Sequence, residues 1–174
     1  MTDIVSITDL IKTISVDSEF KIIPPKDLLS DEDYKIIRDA YIIVGKYRTT
    51  NWMADLSELE IQSDLIYLQC TLVILAEKVS VIGSTQDGED DKLKTARAKI
   101  RLLLKQMKQD LDKEGTPSKI TQDDIKDASI ALTEDLANNY ENIRIGANFT
   151  KFVFYAIRDL VQYLDKALQI GRAS

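Results

Sequence analysis

The feature that most constrains the fold is an uncharged apolar run, Leu65–Ala76, which reads LIYLQCTLVILA. As a helix this run is apolar on nearly every side, and such a helix has to be surrounded by other elements. Asp64 precedes the run and Glu77 follows it, so it is shorter than the roughly 20 apolar residues of a membrane span. We therefore predict a central helix, about residues 52–82, with Cys70 buried and no membrane contact.

The predicted central helix carries two apolar stripes, and each needs a partner helix. The first consists of Trp52, Leu56, Leu59, Ile66, Cys70 and Val73. The second consists of Leu65, Leu68, Leu72, Leu75, Val79 and Ile82. Alternating steps of three and four in the second stripe are typical of coiled-coil-like packing.

Helical patterns fill most of the remaining chain, which has only 6 glycines and 3 prolines. Ser30 with Asp33 predicts a helix start, as does Thr121 with Asp124. The polar run 48–51 predicts a break or kink, with a continuous helix as the alternative. Gly83 predicts a helix end before an acidic turn at 84–91. Further helices are predicted at 92–113, from Thr121 to a break near Gly146, and at about 149–170. We predict an all-α bundle of about five main helices.

The N-terminal residues 1–29 are predicted to form a looser arm, and residues 30–174 a single helical-bundle domain. A short amphipathic helix over residues 4–14, capped by Asp3, and an extended linker at Phe20–Pro25 make up the arm. An acid at position 3 and the absence of a basic leading segment argue against a secretory signal. A single cysteine fits a reducing compartment. We expect a cytoplasmic protein, or one of the host cytoplasm or the virion if it is viral.

The chain lacks the residues of most catalytic centres. It has no histidine and one cysteine, which excludes histidine-based acid–base catalysis, thiolate metal sites and Cys-His nucleophilic pairs. No glycine-rich phosphate loop is present. We expect no enzyme, no cofactor and no resident metal. A remote alternative is a Mg²⁺-dependent all-α nucleotide hydrolase that uses Asp55, Glu58, Glu60 and Asp64.

A basic stripe is the sharpest candidate for a binding site. Seven basic residues and no acid lie between Lys92 and Lys108. Five of them share one helix side: Lys94, Arg97, Arg101, Lys105 and Lys108. Cations spaced in this way can follow phosphates. A second candidate patch combines cations with aromatic rings suited to base stacking: Lys46, Tyr47, Arg48 and Trp52. The competing interpretations are a solvated helix side and packing at a helix junction.

The charge is divided unevenly along the sequence. Residues 1–91 hold 8 basic and 18 acidic side chains, and residues 92–174 hold 15 and 11. The two halves therefore carry opposite net charge, −10 and +4, and can pair within one chain or between subunits. The basic stripe can accordingly dock on the acidic half instead of on nucleic acid.

The apolar stripes, the opposed charges and the missing catalytic residues favour a non-enzymatic helical interaction or assembly protein. We expect it to form a homo-oligomer or to bind another protein. The alternative is an accessory single-stranded nucleic-acid-binding protein. The layout resembles that of small phage recombination accessory proteins, which are helical, oligomeric and bind single strands; no motif carries this resemblance, so it assigns no site residue.

Overall fold

The computed structural model describes residues 5–14, 29–49 and 51–173, and these form an all-α protein. The predicted fold class, an all-α helical bundle, is confirmed. The helices are α1 (Ile7–Ile11), α2 (Asp31–Thr49), α3 (Trp52–Asp55), α4 (Glu58–Lys113), α5 (Gln122–Ala131) and α6 (Glu134–Ala173). An isolated parallel bridge joins Val5 to Ser118. The predicted cap Asp3 and the linker at Phe20–Pro25 lie outside the described residues. Residues 15–28, which end the predicted N-terminal arm, lie outside them as well.

The same device begins four of the helices. In each, a carboxylate three residues into the helix accepts a hydrogen bond from the backbone N–H of the cap residue, at 2.7–3.1 Å. The four pairs are Ser6–Asp9, Ser30–Asp33, Ser57–Glu60 and Thr121–Asp124. Each carboxylate satisfies a donor that the helix itself leaves unpaired and sits at the positive end of the helix dipole. The predicted starts at Ser30 and Thr121 are confirmed, whereas the start at Ser57 was missed.

The chain divides into two compact units, and each of them is discontinuous in sequence. Unit 1 combines the N-terminal segment with Gln86–Asn142. Unit 2 combines Pro24–Thr85 with Ile143–Ser174. Helices α4 and α6 each contribute one part to unit 1 and the other part to unit 2.

The core of unit 2 is built by α2, the first half of α4 and the later part of α6. The second predicted stripe lies in this core: Leu68, Leu75 and Ile82 are almost completely buried, and Leu65 is buried as well. They pack with residues from the two neighbouring helices: Ile37, Ala40, Val44, Val153, Ile157 and Leu164. The burial explains why α2, α4 and α6 each present one continuous apolar side.

Unit 1 has two smaller clusters. In one of them Leu10 of α1 packs with Ile100 and Leu104 of α4 and with Ile125 of α5. The other joins Leu93 and Ala96 to Leu136. The apolar side of the predicted N-terminal amphipathic helix therefore has a partner, although α1 itself is only five residues long.

The predicted helix end at Gly83 and the acidic turn at 84–91 are wrong, because α4 continues to Lys113. The acids of this segment pair with lysines one turn further on. Lys92 Nζ contacts Glu89 at 2.5 Å, and Lys94 contacts Asp90. Glu89 is buried and also accepts a hydrogen bond from Asn139 Nδ2 at 3.2 Å. Pairs spaced three and four residues apart support a helix, so the acids stabilise α4 instead of ending it.

One further predicted helix limit is confirmed, and others differ from prediction. The break after residue 48 is confirmed, since α2 ends at Thr49 and α3 begins at Trp52. A second break was missed: Leu56 is extended, with φ −112° and ψ 138°, so α4 starts only at Glu58. The break predicted near Gly146 is wrong, because α6 is continuous from Glu134. The unpredicted break lies instead between α5 and α6.

Candidate interaction surface

The basic stripe lies on the part of α4 that belongs to unit 1, and its five cations do not form one free row. Lys94 is exposed but pairs with Asp90, and this hydrogen bond raises the pKa of Lys94. Lys105 is exposed and Lys108 is half-buried. The lysines therefore differ in how freely they can reach a phosphate.

The two arginines of the stripe hold α4 against the chain that follows it. Arg97 Nε donates to Thr133 Oγ1 at 3.1 Å, and Arg101 Nε donates to Ser129 Oγ at 3.0 Å. Both hydroxyl groups are buried. These bonds fix the guanidinium groups beside α5 and the α5–α6 junction, so the arginines have a structural role that the sequence did not reveal.

Acidic groups also lie beside Arg97. A surface depression of about 430 Å³ is lined by Arg97 together with Asp127 and Glu134. Carboxylates at this position oppose the approach of a polyanion. The electrostatic environment therefore favours the interpretation of the stripe as an intramolecular contact over a phosphate track.

The second candidate patch is a packed helix junction in unit 2. Tyr47 is buried, and its ring meets Trp52 edge to face at 5.7 Å between centroids. Trp52 meets Tyr163 at the same distance. Because Tyr47 is buried, its ring is not available for a base to stack on. Arg48 remains exposed.

Asp64 organises the polar side of this junction. Its Oδ2 accepts hydrogen bonds from Lys46 Nζ at 2.9 Å and from the Tyr47 hydroxyl at 3.0 Å. Burial and the hydrogen bond to Asp64 raise the pKa of Tyr47 well above its ordinary range. Lys46 and Tyr47 of the predicted stacking site are thus engaged with Asp64, and Tyr47 with Trp52. They belong to unit 2, whereas the basic stripe belongs to unit 1.

Carboxylates of the predicted magnesium site make separate contacts within the protein. Glu60 caps α4 through Ser57, and those hydrogen bonds lower the pKa of Glu60. Glu58 accepts a hydrogen bond from Gln62 at 2.8 Å. Within residues 5–14, 29–49 and 51–173, no group of three histidine, cysteine, aspartate or glutamate side chains could hold a metal ion.

The apolar run Leu65–Ala76 is not buried on all sides, contrary to prediction. Cys70 is exposed, so its assignment as a core residue is wrong. From the first predicted stripe, Leu59, Ile66 and Val73 are 76%, 62% and 73% exposed. Only one side of this part of α4 therefore enters the core of unit 2.

The exposed residues form a surface that we name the α4 face. Its members lie on one side of the unit 2 part of α4 and are half-exposed or exposed: Leu59, Ile66, Tyr67, Cys70, Val73, Ile74 and Val81. The sequence already placed several of them on one stripe. The sequence could not show whether the partner of this stripe lies within the same chain or in another chain. The same spacing of apolar residues serves helix packing within a chain and between chains.

Aromatic side chains form a second exposed group in unit 2. Phe149, Phe152, Tyr155 and Tyr163 of α6 are each about half exposed. Phe152 lies 6.4 Å from Tyr41 of α2, measured between ring centroids. Aromatic residues are enriched in protein interfaces, so this group adds to the apolar surface that unit 2 presents.

By length and composition alone, α4 also qualifies as a membrane-spanning helix. Its 18-residue apolar window has a mean hydropathy of 1.8 and is 28% buried. The core helix of a soluble protein passes the same test. The criterion therefore adds only weak support for a membrane segment.

Comparisons with protein-family models, with curated proteins and with solved structures find no match to this chain.

Proposed function

We propose that this protein is a non-enzymatic helical interaction or assembly protein that acts as an oligomer. The observation that supports the proposal is the α4 face. Val73 and Leu59 are about three-quarters exposed on a helix whose opposite side builds the core. Contiguous exposed apolar surface of this kind marks interaction sites in folded proteins.

The apolar area that the α4 face leaves in water favours its burial by a partner. Complete burial of one Val, Leu or Ile side chain contributes about 1.5–3 kcal/mol. The α4 face holds several such side chains on one helix side, so covering it contributes enough to offset part of the cost of association. The missing histidine and the engaged carboxylates Glu60 and Asp64 support the non-enzymatic part of the proposal.

The decisive measurement is the molar mass in solution over a wide concentration range around micromolar. Sedimentation velocity should give a mass above the 19.7 kDa of one chain, with the oligomer fraction rising with concentration by mass action. A protein that sediments as a monomer throughout would refute the oligomer proposal.

Nucleic-acid binding remains the competing proposal, supported by the exposure of Lys94 and Lys105 on one helix. It predicts single-strand binding that weakens steeply with salt and is lost when the lysines are changed to glutamate. A salt-titrated binding assay on material of known mass separates the two classes. Absence of binding at low salt would exclude the alternative.

A further inference from the structure

The exposed apolar residues of the α4 face are arranged symmetrically about Cys70. Each large member on one side of Cys70 in sequence has a counterpart at the same number of residues on the other side. The pairs are Leu59 with Val81, Ile66 with Ile74, and Tyr67 with Val73. Cys70 itself is exposed at the centre. Such spacing places apolar residues at matching levels when two copies of the helix pair in antiparallel orientation.

We propose that a second copy of this chain covers the α4 face, with the two α4 helices antiparallel and a twofold axis near Cys70. The inference rests on the oligomer proposed above and specifies its interface. An isologous contact uses the same surface patch on both subunits. With the axis at Cys70, residues equally far from it in sequence lie at the same level along the paired helices, because every residue rises by about 1.5 Å. Each exposed apolar residue other than Cys70 then lies at the same height along the helix pair as an apolar residue of the second copy.

Charge selects the antiparallel direction over the parallel one. Glu77 lies seven residues after Cys70, on the same helix side as the α4 face, and Ser63 lies seven residues before it. Both side chains are exposed. Antiparallel pairing places Glu77 opposite the partner's Ser63, whose hydroxyl can donate to the carboxylate. Parallel pairing in register would place the two Glu77 carboxylates opposite each other, and like charges in contact are destabilising.

Two other charges of α4 near the α4 face are engaged with α2. Lys78 pairs with Asp33 at 3.0 Å, and Asp64 pairs with Lys46 at 2.9 Å. Both α4 side chains, Lys78 and Asp64, are therefore directed to α2 within the same chain. These two charges of α4 therefore do not compete with the proposed contact.

Cysteine cross-linking tests the direction of pairing. In the first arm, the wild type is treated with a short bismaleimide and should give a dimer through Cys70. In the second arm, Ser63→Cys and Glu77→Cys are made separately in a Cys70→Ser background and then mixed. Antiparallel pairing should give the mixed 63–77 dimer in excess over either self-linked dimer. Self-linked dimers in excess would overturn the antiparallel arrangement.

A substitution in the α4 face tests the surface itself. Val73→Glu should weaken self-association about a hundredfold, because each subunit contributes one valine and tenfold corresponds to about 1.4 kcal/mol. The matched control is Leu102→Glu, an exposed aliphatic residue of α4 in unit 1, which should leave association unchanged. Circular dichroism checks that both variants remain helical.

The outcomes separate this inference from the proposed function. If the wild type is oligomeric and Val73→Glu is equally oligomeric, the α4 face is not the interface and only this inference fails. If the wild type is a monomer at every concentration, both fail. A third outcome is a monomer that cosediments with phosphatidylcholine vesicles and loses this binding in Val73→Glu. In that case a lipid surface covers the α4 face, and the proposal that a second copy covers it is overturned.

Discussion

Replacing Glu89 by alanine should destabilise unit 1, although the sequence places this residue in an acidic run. Its side chain is 3% exposed and bonds both Lys92 of the same helix and Asn139 of α6. If residues 84–91 formed the predicted acidic turn, Glu89 would face water and its loss would have little effect. The substitution therefore tests whether α4 is continuous.

The magnitude follows from the partners that Glu89 would leave behind. Lys92 is 37% exposed along its side chain and can turn to water, so losing its pair with Glu89 costs only about 0.3–0.5 kcal/mol. Asn139 is buried, and a buried amide without its partner costs about 1–3 kcal/mol. Together these two costs mean that Glu89→Ala should lower the free energy of unfolding by about 1.3–3.5 kcal/mol. Asn139→Ala should lower the free energy of unfolding by about 1–3 kcal/mol, because Glu89 loses one hydrogen bond and keeps its ion pair with Lys92.

Urea denaturation followed by circular dichroism measures these values, while Trp52 fluorescence reports on unit 2 separately. The double variant should cost less than the two single variants together, since both remove the same hydrogen bond. Asp87→Ala, an exposed acid of the same segment, is the matched control and should change stability by less than about 0.5 kcal/mol. A Glu89→Ala effect as small as the control, or strict additivity, would refute the buried contact.

Three further outcomes are expected. Burial alone would raise the pKa of Asp33, but hydrogen bonds from Ser30 and the Lys78 ammonium lower it. The stability that ionised Asp33 contributes is therefore present above about pH 4 and lost as the pH falls further. Acid denaturation should show this loss for the wild type and not for Asp33→Asn. The raised pKa of Tyr47 implies stability that is full below about pH 10 and lost above it, so an absorbance titration should show one late tyrosine that Tyr47→Phe removes. Arg101→Ala should cost about 1 kcal/mol in urea denaturation through its lost hydroxyl contact; no measurable loss would contradict the structural role of Arg101.

The fold class could be predicted because apolar periodicity and helix caps are local properties of the sequence. Ser30 and Thr121 were found through the acid three residues later, and both caps are present. The same reasoning applied to Ser57 and Glu60 would have found the start of α4. The signal was present, but the apolar pattern that continues from Trp52 outweighed it.

The ends predicted within the two long helices rest on Gly83, on Gly146 and on the acids at 84–91, which are typical of helix ends and turns. At Gly83 and Gly146 the chain stays helical, since the flanking turns are held by tertiary burial of Ile82 and Ala147. Spacing from Glu89 to Lys92 was a local signal for helix that could have been used. The buried contact to Asn139 was not readable, because it joins residues far apart in sequence.

The candidate sites were less predictable than the fold. Composition places Arg97 and Arg101 on a cationic helix side, but their hydroxyl partners come from a different segment. Likewise, an all-apolar run indicates that its burial is favourable, but it does not identify which part of the chain, or which other molecule, covers it. For Cys70 the sequence predicted the core of its own chain, whereas the structure leaves that side of α4 exposed.

The discontinuous units have a consequence for the order in which the chain acquires its structure. Residues 86–142 lie between the two segments of unit 2. During synthesis from the N-terminus, α2 and the first half of α4 emerge before Val153, Ile157 and Leu164, which complete their core. Unit 1 therefore has all its segments available earlier, and α2 and α4 must wait with apolar surface uncovered until the final helix has been made.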